Sequence, residues 1–179
     1  MALWVREDIA AFQVVQSSPD CFVKRKGTDM EVVSAQLCHL PQWAAMRIKL
    51  WPWDTINVQA EEAKELYLAG HSDRGAFVAV EDSAELSGFA EATIRRDYVE
   101  GCATSPVVFL EGIYVLPELR KRGVARALSD SVAAWGRDRG ATEYASNALI
   151  DNLDSHAFHL AVGFAETERV VFFKRALLA

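Results

Sequence analysis

Hydrophobic and polar positions divide most of this chain into short periodic runs. Met30 to Leu37 has the partial alternation of an opening strand. From Pro41 to Trp51, apolar Trp43, Ala44, Met46, Ile48 and Leu50 fit a helix with proline in its first turn, and Trp51-Pro52 breaks it. Asn57 to Ala69 predicts a second helix, stopped by Gly70. Ala76 to Val80 and Leu86 to Arg95 predict a hairpin around an acidic turn. Pro106 to Val115 is apolar on both faces, as a central strand is, with one charge, Glu111. A helix from Val124 to Arg139, a strand from Thr142 to Ala148, a helix from Asn152 to Val162 and a closing strand from Val170 to Lys174 complete the order. The expected fold is mixed α/β, with layers around one sheet. Residues 1–28 show no clean period and end in a basic, polar stretch. They are expected to be an extension, non-native or upstream of a true start near Met30, ahead of a single domain over 29–179.

The segment from Glu111 to Ala125 carries the first chemical signal. A buried strand gives way to a basic loop, Arg120-Lys121-Arg122, and Gly123 opens a helix. The first N–H groups of a helix lack internal partners and carry partial positive charge, so a phosphate is their natural occupant. A solvated turn is the competing reading of the spacing alone. The loop lacks the Gly-Lys-Ser/Thr of nucleotide hydrolases and the three glycines of the dinucleotide fingerprint.

Composition narrows the class. With 51% apolar and 25% charged residues, the chain reads as one soluble globular domain. No run approaches the roughly 18 apolar residues of a membrane span. Charge in the first eight residues argues against a signal peptide, so a cytoplasmic protein without membrane contact is expected. The net charge of −6 disfavours nucleic acid and permits a cationic ligand. Cys21, Cys38 and Cys102 lack metal-ligand spacing; buried or idle thiols and no metal are expected.

Arg120-Lys121-Arg122-Gly123-Val124-Ala125, together with Gly163-Phe164 after the last helix, resembles the signature of the GCN5-related N-acetyltransferases over about 30–174. Further stretches are similar to the aminoglycoside 6′-N-acetyltransferases. They include Leu50-Trp51-Pro52, Gly88-Phe89-Ala90-Glu91-Ala92, Arg96-Asp97-Tyr98-Val99-Glu100-Gly101-Cys102, Ser105 to Ile113, and Gly163 to Val170. The resemblance implies a mostly antiparallel sheet with a splayed parallel strand pair and helices on both faces. It implies acetyl transfer from acetyl-CoA to the 6′-amine of an aminoglycoside, antibiotic resistance, and a homodimer. Pantetheine would pair with Ile113, Tyr114 and Val115. The phosphates would meet Arg120, Lys121, Arg122, Gly123, Val124 and Ala125, with Asn152 as a further contact. Another small amine as acceptor, or a CoA-binding domain without turnover, are the competing functions.

Acetyl transfer needs an amine freed of its proton, a polarised thioester and a stabilised thiolate. Glu111 is a candidate ammonium ligand, or a base acting through water, with a structural ion pair as the alternative. Asn147 stands where resembling enzymes often have an Asp, and an amide cannot take the proton. His159 occupies the slot where the wider family has a Tyr acid; helix packing is its other reading. Tyr98 is a second candidate donor or a substrate contact. Trp51 could stack on a sugar ring, and Asp54, Glu91 and Glu168 could bind ammonium groups.

Overall fold

The computed structural model describes residues 30–177. The expectation for residues 1–28 lies outside that range. Strand β1 (Met30–Ser34) is followed by helices α1 (Leu40–Leu50) and α2 (Ile56–Ala63), strands β2 (Arg74–Glu81), β3 (Leu86–Arg95) and β4 (Val107–Val115), helix α3 (Val124–Arg137), strand β5 (Glu143–Ser146) and helix α4 (Leu153–Ala161). The sheet order is β1-β2-β3-β4-β5. All neighbours are antiparallel except β4 and β5, which run parallel. This is the mixed sheet expected from the sequence.

Local chemistry sets the element ends. Pro41 sits in the first turn of α1, where its missing N–H costs nothing. Trp51, which precedes Pro52, leaves helical geometry. Thr55 caps α2 by accepting from the Val58 amide. A π-turn over Lys64–Leu68 extends α2, and the second helix expected to Ala69 is this composite. The Asn152 side chain caps α4 by accepting from the Ser155 amide at 3.1 Å.

The sheet is packed on both faces. Phe77, Ala90, Ala92, Ile94, Val108 and Leu110 meet Val124, Leu128 and Val132 of α3. On the opposite face Val78, Leu86 and Phe89 meet Trp43, Ala44 and Met46 of α1 and Ala60 and Ala63 of α2. Trp43 is fully buried, and truncating such a side chain to alanine costs about 3–5 kcal/mol. No described helix is long and apolar enough to cross a membrane. Among the described residues no cluster of three or more His, Cys, Asp or Glu could hold a metal ion.

Two expectations are corrected. Residues 170–174 do not form a strand: the described chain after Gly163 takes neither helix nor strand. Phe172 and Phe173 are 87% and 93% exposed. β-propensity marks a segment that favours extension, but a strand also needs an edge to pair with. The second correction concerns Cys38, which is disulfide-bonded rather than an idle thiol. Cys102 is free.

Candidate active site

Two features of β4 organise the site. A β-bulge falls between Glu91 and Ala92: Glu91 pairs with Gly112 and Ala92 with Leu110, so Glu111 is the extra residue. In addition, β5 pairs with β4 only from Val107 to Leu110, whereas β4 runs on to Val115. Beyond Leu110 the two parallel strands part. Among the described residues the β4 backbone on that side has no strand partner, which leaves peptide groups for a ligand to pair with. Ile113, Tyr114 and Val115 lie on this stretch.

The loop after β4, where the sequence suggests a phosphate site, runs directly into α3. Lys121 and Gly123 have left-handed backbones, with φ of 62° and 86°. Gly123 caps α3, and its carbonyl accepts the first helical bond, from the Ala127 amide. The amides of Val124, Ala125 and Arg126 therefore precede the helical ladder. A Cβ on Gly123 would meet nothing within 4 Å, so the space beside these amides is open. The fit to a pyrophosphate is good in backbone terms. Lys121 and Arg122 are exposed. Arg120 folds back instead, its Nε donating to the Val115 carbonyl at 3.2 Å. It fastens the loop to the end of β4.

A cavity of about 770 Å3 opens on the α1–α2 face. It is lined by Trp51, Trp53 and Tyr67, by six carboxylates (Asp54, Glu62, Asp73, Glu91, Asp97 and Glu111) and by Arg47, Arg74, Arg95 and Arg96. Strand alternation explains most of the β3 contribution: Glu91, Thr93 and Arg95 share one face, while Ala90 and Ala92 point to α3; Ile94, in the same core cluster, also borders the cavity.

Glu111 is not a solitary charge. Its Oε1 accepts from Thr93 Oγ1 at 2.5 Å and from Arg95 Nη2 at 3.0 Å, and its Oε2 accepts from the same nitrogen at 3.1 Å. The Arg95 guanidinium lies 3.4 Å over the Phe109 ring. Each oxygen of a carboxylate can accept more than one hydrogen bond, so a pairing with Arg95 leaves acceptor capacity toward the cavity. Glu91 is only 1% exposed, and both its oxygens are engaged. Trp43 Nε1 donates to Oε1 at 2.9 Å and Arg47 Nη1 donates to Oε2. Burial pushes its carboxyl up to about 6, against the pull of Arg47. Tyr67 beside it is likewise pushed up, first by burial and then by the Glu91 charge.

Of the residues expected at the site, Trp51, Asp54, Glu91 and Glu111 share this cavity. Asn147 follows β5 directly and is exposed. Tyr98 is 75% exposed on the loop after β3. His159 packs edge-on against Phe158 and Phe164, each at 5.1 Å, and its Nδ1 lies 2.7 Å from the Ser155 carbonyl. Glu168 is exposed in the chain after α4. None of these four lines the cavity. Arg47, Arg95, Thr93 and Glu62 were not anticipated. A period-two reading of β3 from Glu91 would have placed Thr93 and Arg95 on the Glu91 face. A four-residue step along α1 would have put Arg47 above Trp51.

A parting parallel strand pair, a loop whose amides open a helix and an acidic cleft beside a bulged carboxylate meet around β4. The profile of the acetyltransferase (GNAT) family matches residues 41–164, and the chain belongs to that family. It is 42% identical over 146 residues to "Aminoglycoside N(6′)-acetyltransferase type 1" of Salmonella typhimurium, covering 82% of this chain and 99% of that protein. The Acinetobacter baumannii enzyme of the same name is 44% identical over 82% of this chain and 98% of its own length. Among solved structures, AAC(6′)-Iy with the bisubstrate analog CoA-S-monomethyl-acetylneamine superposes with a TM-score of 0.77. It has 41% identity, and the match covers 84% of this chain and 100% of that one. AAC(6′)-Ih from A. baumannii gives a TM-score of 0.78 at 42% identity, covering 83% and 99%.

Proposed function

We propose that this enzyme transfers the acetyl group of acetyl-CoA to the 6′-amine of an aminoglycoside antibiotic and so confers resistance. The observation that carries the reading is the acidic cleft opening at the bulge in β4, in a chain more than 40% identical to enzymes of that name. A polycationic acceptor needs several carboxylates at once. Asp54, Asp73, Asp97 and Glu111 supply them, with Trp51 as a flat surface for a sugar ring.

The reaction is a direct displacement. The amine nitrogen bonds to the thioester carbonyl carbon, the C–S bond breaks, and the proton from nitrogen ends on solvent or on the departing thiolate. Glu111 holds the acceptor ammonium and takes its proton through water. The free backbone of β4 from Ile113 to Val115 pairs with the pantetheine. The amides of Gly123, Val124 and Ala125 hold the pyrophosphate, with Lys121 and Arg122 supplying charge and Arg120 bracing the loop. Asn147, directly after β5, contributes a hydrogen bond but not a base, and Asn152, whose side chain caps α4, is a further candidate contact for CoA. Outside the cavity, Tyr98 is a candidate acceptor contact, Glu168 a candidate outer carboxylate and His159 the candidate acid for the thiolate.

The partner is a second copy of this chain in the cytoplasm, where acetyl-CoA is available. Three features support a dimer. β5 is an outer strand, α4 has no fully buried side chain, and Val171, Phe172 and Phe173 are exposed beyond it. Light scattering on the full chain should give a dimer, and a chain cut after Arg169 should be a monomer; a monomeric full chain removes this part. For the activity, thiol release is measured with kanamycin-type and polyamine acceptors. Turnover is expected with the former, and none above background on any 6′-amino aminoglycoside rejects the assignment.

A further inference from the structure

We infer that Arg47 is a positioning residue that sets Trp51 and Glu62 in the wall of the acceptor cleft; this rests on the acceptor reading of that cavity. Arg47 is 3% exposed, on the cavity side of α1. A guanidinium carries its donors in a fixed planar fork, and each of its three nitrogens here has a different partner. Nη1 donates to Glu91 of β3, Nε donates to Gln59 of α2 at 2.8 Å, and Nη2 donates to Glu62 of α2. Its flat face lies 4.7 Å from the centre of the Trp51 ring. One side chain thus ties together the sheet, the second helix and the indole that ends α1.

Its partners differ in exposure in a way that gives the arrangement direction. Glu91 is buried and doubly bonded, so it is the fixed anchor. The Glu62 side chain is 49% exposed and reaches the cavity. Trp51 packs on Phe89, with ring centres 6.2 Å apart, and against Gly112 next to Glu111. The anchor is therefore the floor, and the two oriented groups face a ligand. Gln59 is held from both sides, since its Nε2 also reaches Asp54 at 3.5 Å. A lysine here would keep the charge beside Glu91. It could not reach Gln59 and Glu62 together or lie flat on the indole.

The test compares Arg47→Lys, Trp51→Phe and the double variant, with acceptor and acetyl-CoA varied separately. Arg47→Lys should raise the acceptor KM by about tenfold or more through misplaced contacts. It should leave the acetyl-CoA KM unmoved and kcat nearly so. The double variant should lose clearly less than the sum of the two single losses, because part of the Arg47 effect runs through Trp51. Enzyme labelled with fluorotryptophan gives a readout that needs no turnover: Arg47→Lys should shift or broaden the Trp51 resonance and leave that of Trp135 alone. An unmoved Trp51 resonance, additive losses, or an unchanged acceptor KM in the folded variant overturns the inference. Should Arg47→Lys not fold, the charge-neutral pair Arg47→Gln with Glu91→Gln takes its place under the same criteria. If the unaltered enzyme acetylates no aminoglycoside, the acceptor reading fails separately, and the fluorine spectrum still decides whether Arg47 positions Trp51.

Discussion

Replacing Gly112 with alanine strikes the acceptor site through packing alone. Gly112 lies in β4 beside Glu111, and a Cβ built there would stand 2.6 Å from both Cη2 and Cζ2 of Trp51 and 3.0 Å from Leu50 Cδ2. Carbon atoms in contact prefer about 3.5–4.0 Å, so the indole must retreat by about 1 Å. It is not free to do so, because Phe89 and the Arg47 guanidinium hold its faces. Overpacking of this kind costs about 1–3 kcal/mol, which for a domain of this size lowers Tm by roughly 2–12 °C. A displacement of about 1 Å in a substrate-positioning group can cost up to about 100-fold in rate. The assay is steady-state kinetics with the aminoglycoside varied at saturating acetyl-CoA, beside a thermal melt. The folded variant should lose at least tenfold in kcat/KM for the acceptor. A folded Gly112→Ala enzyme with unchanged acceptor kcat/KM would refute the claim that Trp51 lies in the acceptor wall.

Glu111→Gln keeps the shape of the Thr93 and Arg95 contacts but removes the charge, and kcat/KM should fall by about 100-fold or more; an unchanged value assigns Glu111 to structure only. Asn147→Asp places a full charge beside the end of β5, and a faster acetylation at neutral pH is expected, whereas no change would remove Asn147 from the acceptor side. Glu143 accepts from the Thr104 hydroxyl, from the Ala103 amide at 2.9 Å and from the Thr104 amide at 2.5 Å, and these bonds hold its carboxyl below the usual range. A lowered folded pKa contributes stability above the unfolded value near 4.5 that is lost as pH falls through the folded value. Glu143→Gln should therefore flatten the acid side of a Tm-against-pH profile; an identical acid limb in both proteins would contradict this.

Much of the fold was legible in periodicity, because most elements bury one face against the sheet. Trp43, Ala44 and Met46 marked the buried side of α1, and the unbroken apolar run from Val107 to Leu110 marked the centre of the sheet. The last strand was misread because Val170 to Phe173 carries the composition of a strand without revealing where its partner lies. At the site, the loop from Arg120 to Ala125 stands out in the sequence because its residues are contiguous. The acceptor cleft was only half visible. Trp51, Asp54 and Glu111 could be named one by one, but the pairing of Arg95 with Glu111 depends on register across a bulge. Arg47 was missed because arginine on a helix is exposed by default, and only its buried partners make it otherwise. A carboxylate at Glu91 suggests an ammonium contact, and only the structure shows its two oxygens engaged by Trp43 and Arg47.

The central claim is transfer of one acetyl group to one nitrogen in the cleft beside β4. The direct measurement incubates the full chain with acetyl-CoA and kanamycin, then locates the acetyl group on the product by two-dimensional NMR while thiol release is followed in parallel. The expected result is a single acetyl group on the 6′-nitrogen, one thiol released per product, and loss of both signals with Glu111→Gln. Thiol release without acetyl on that nitrogen, or acetylation elsewhere on the molecule, would contradict it.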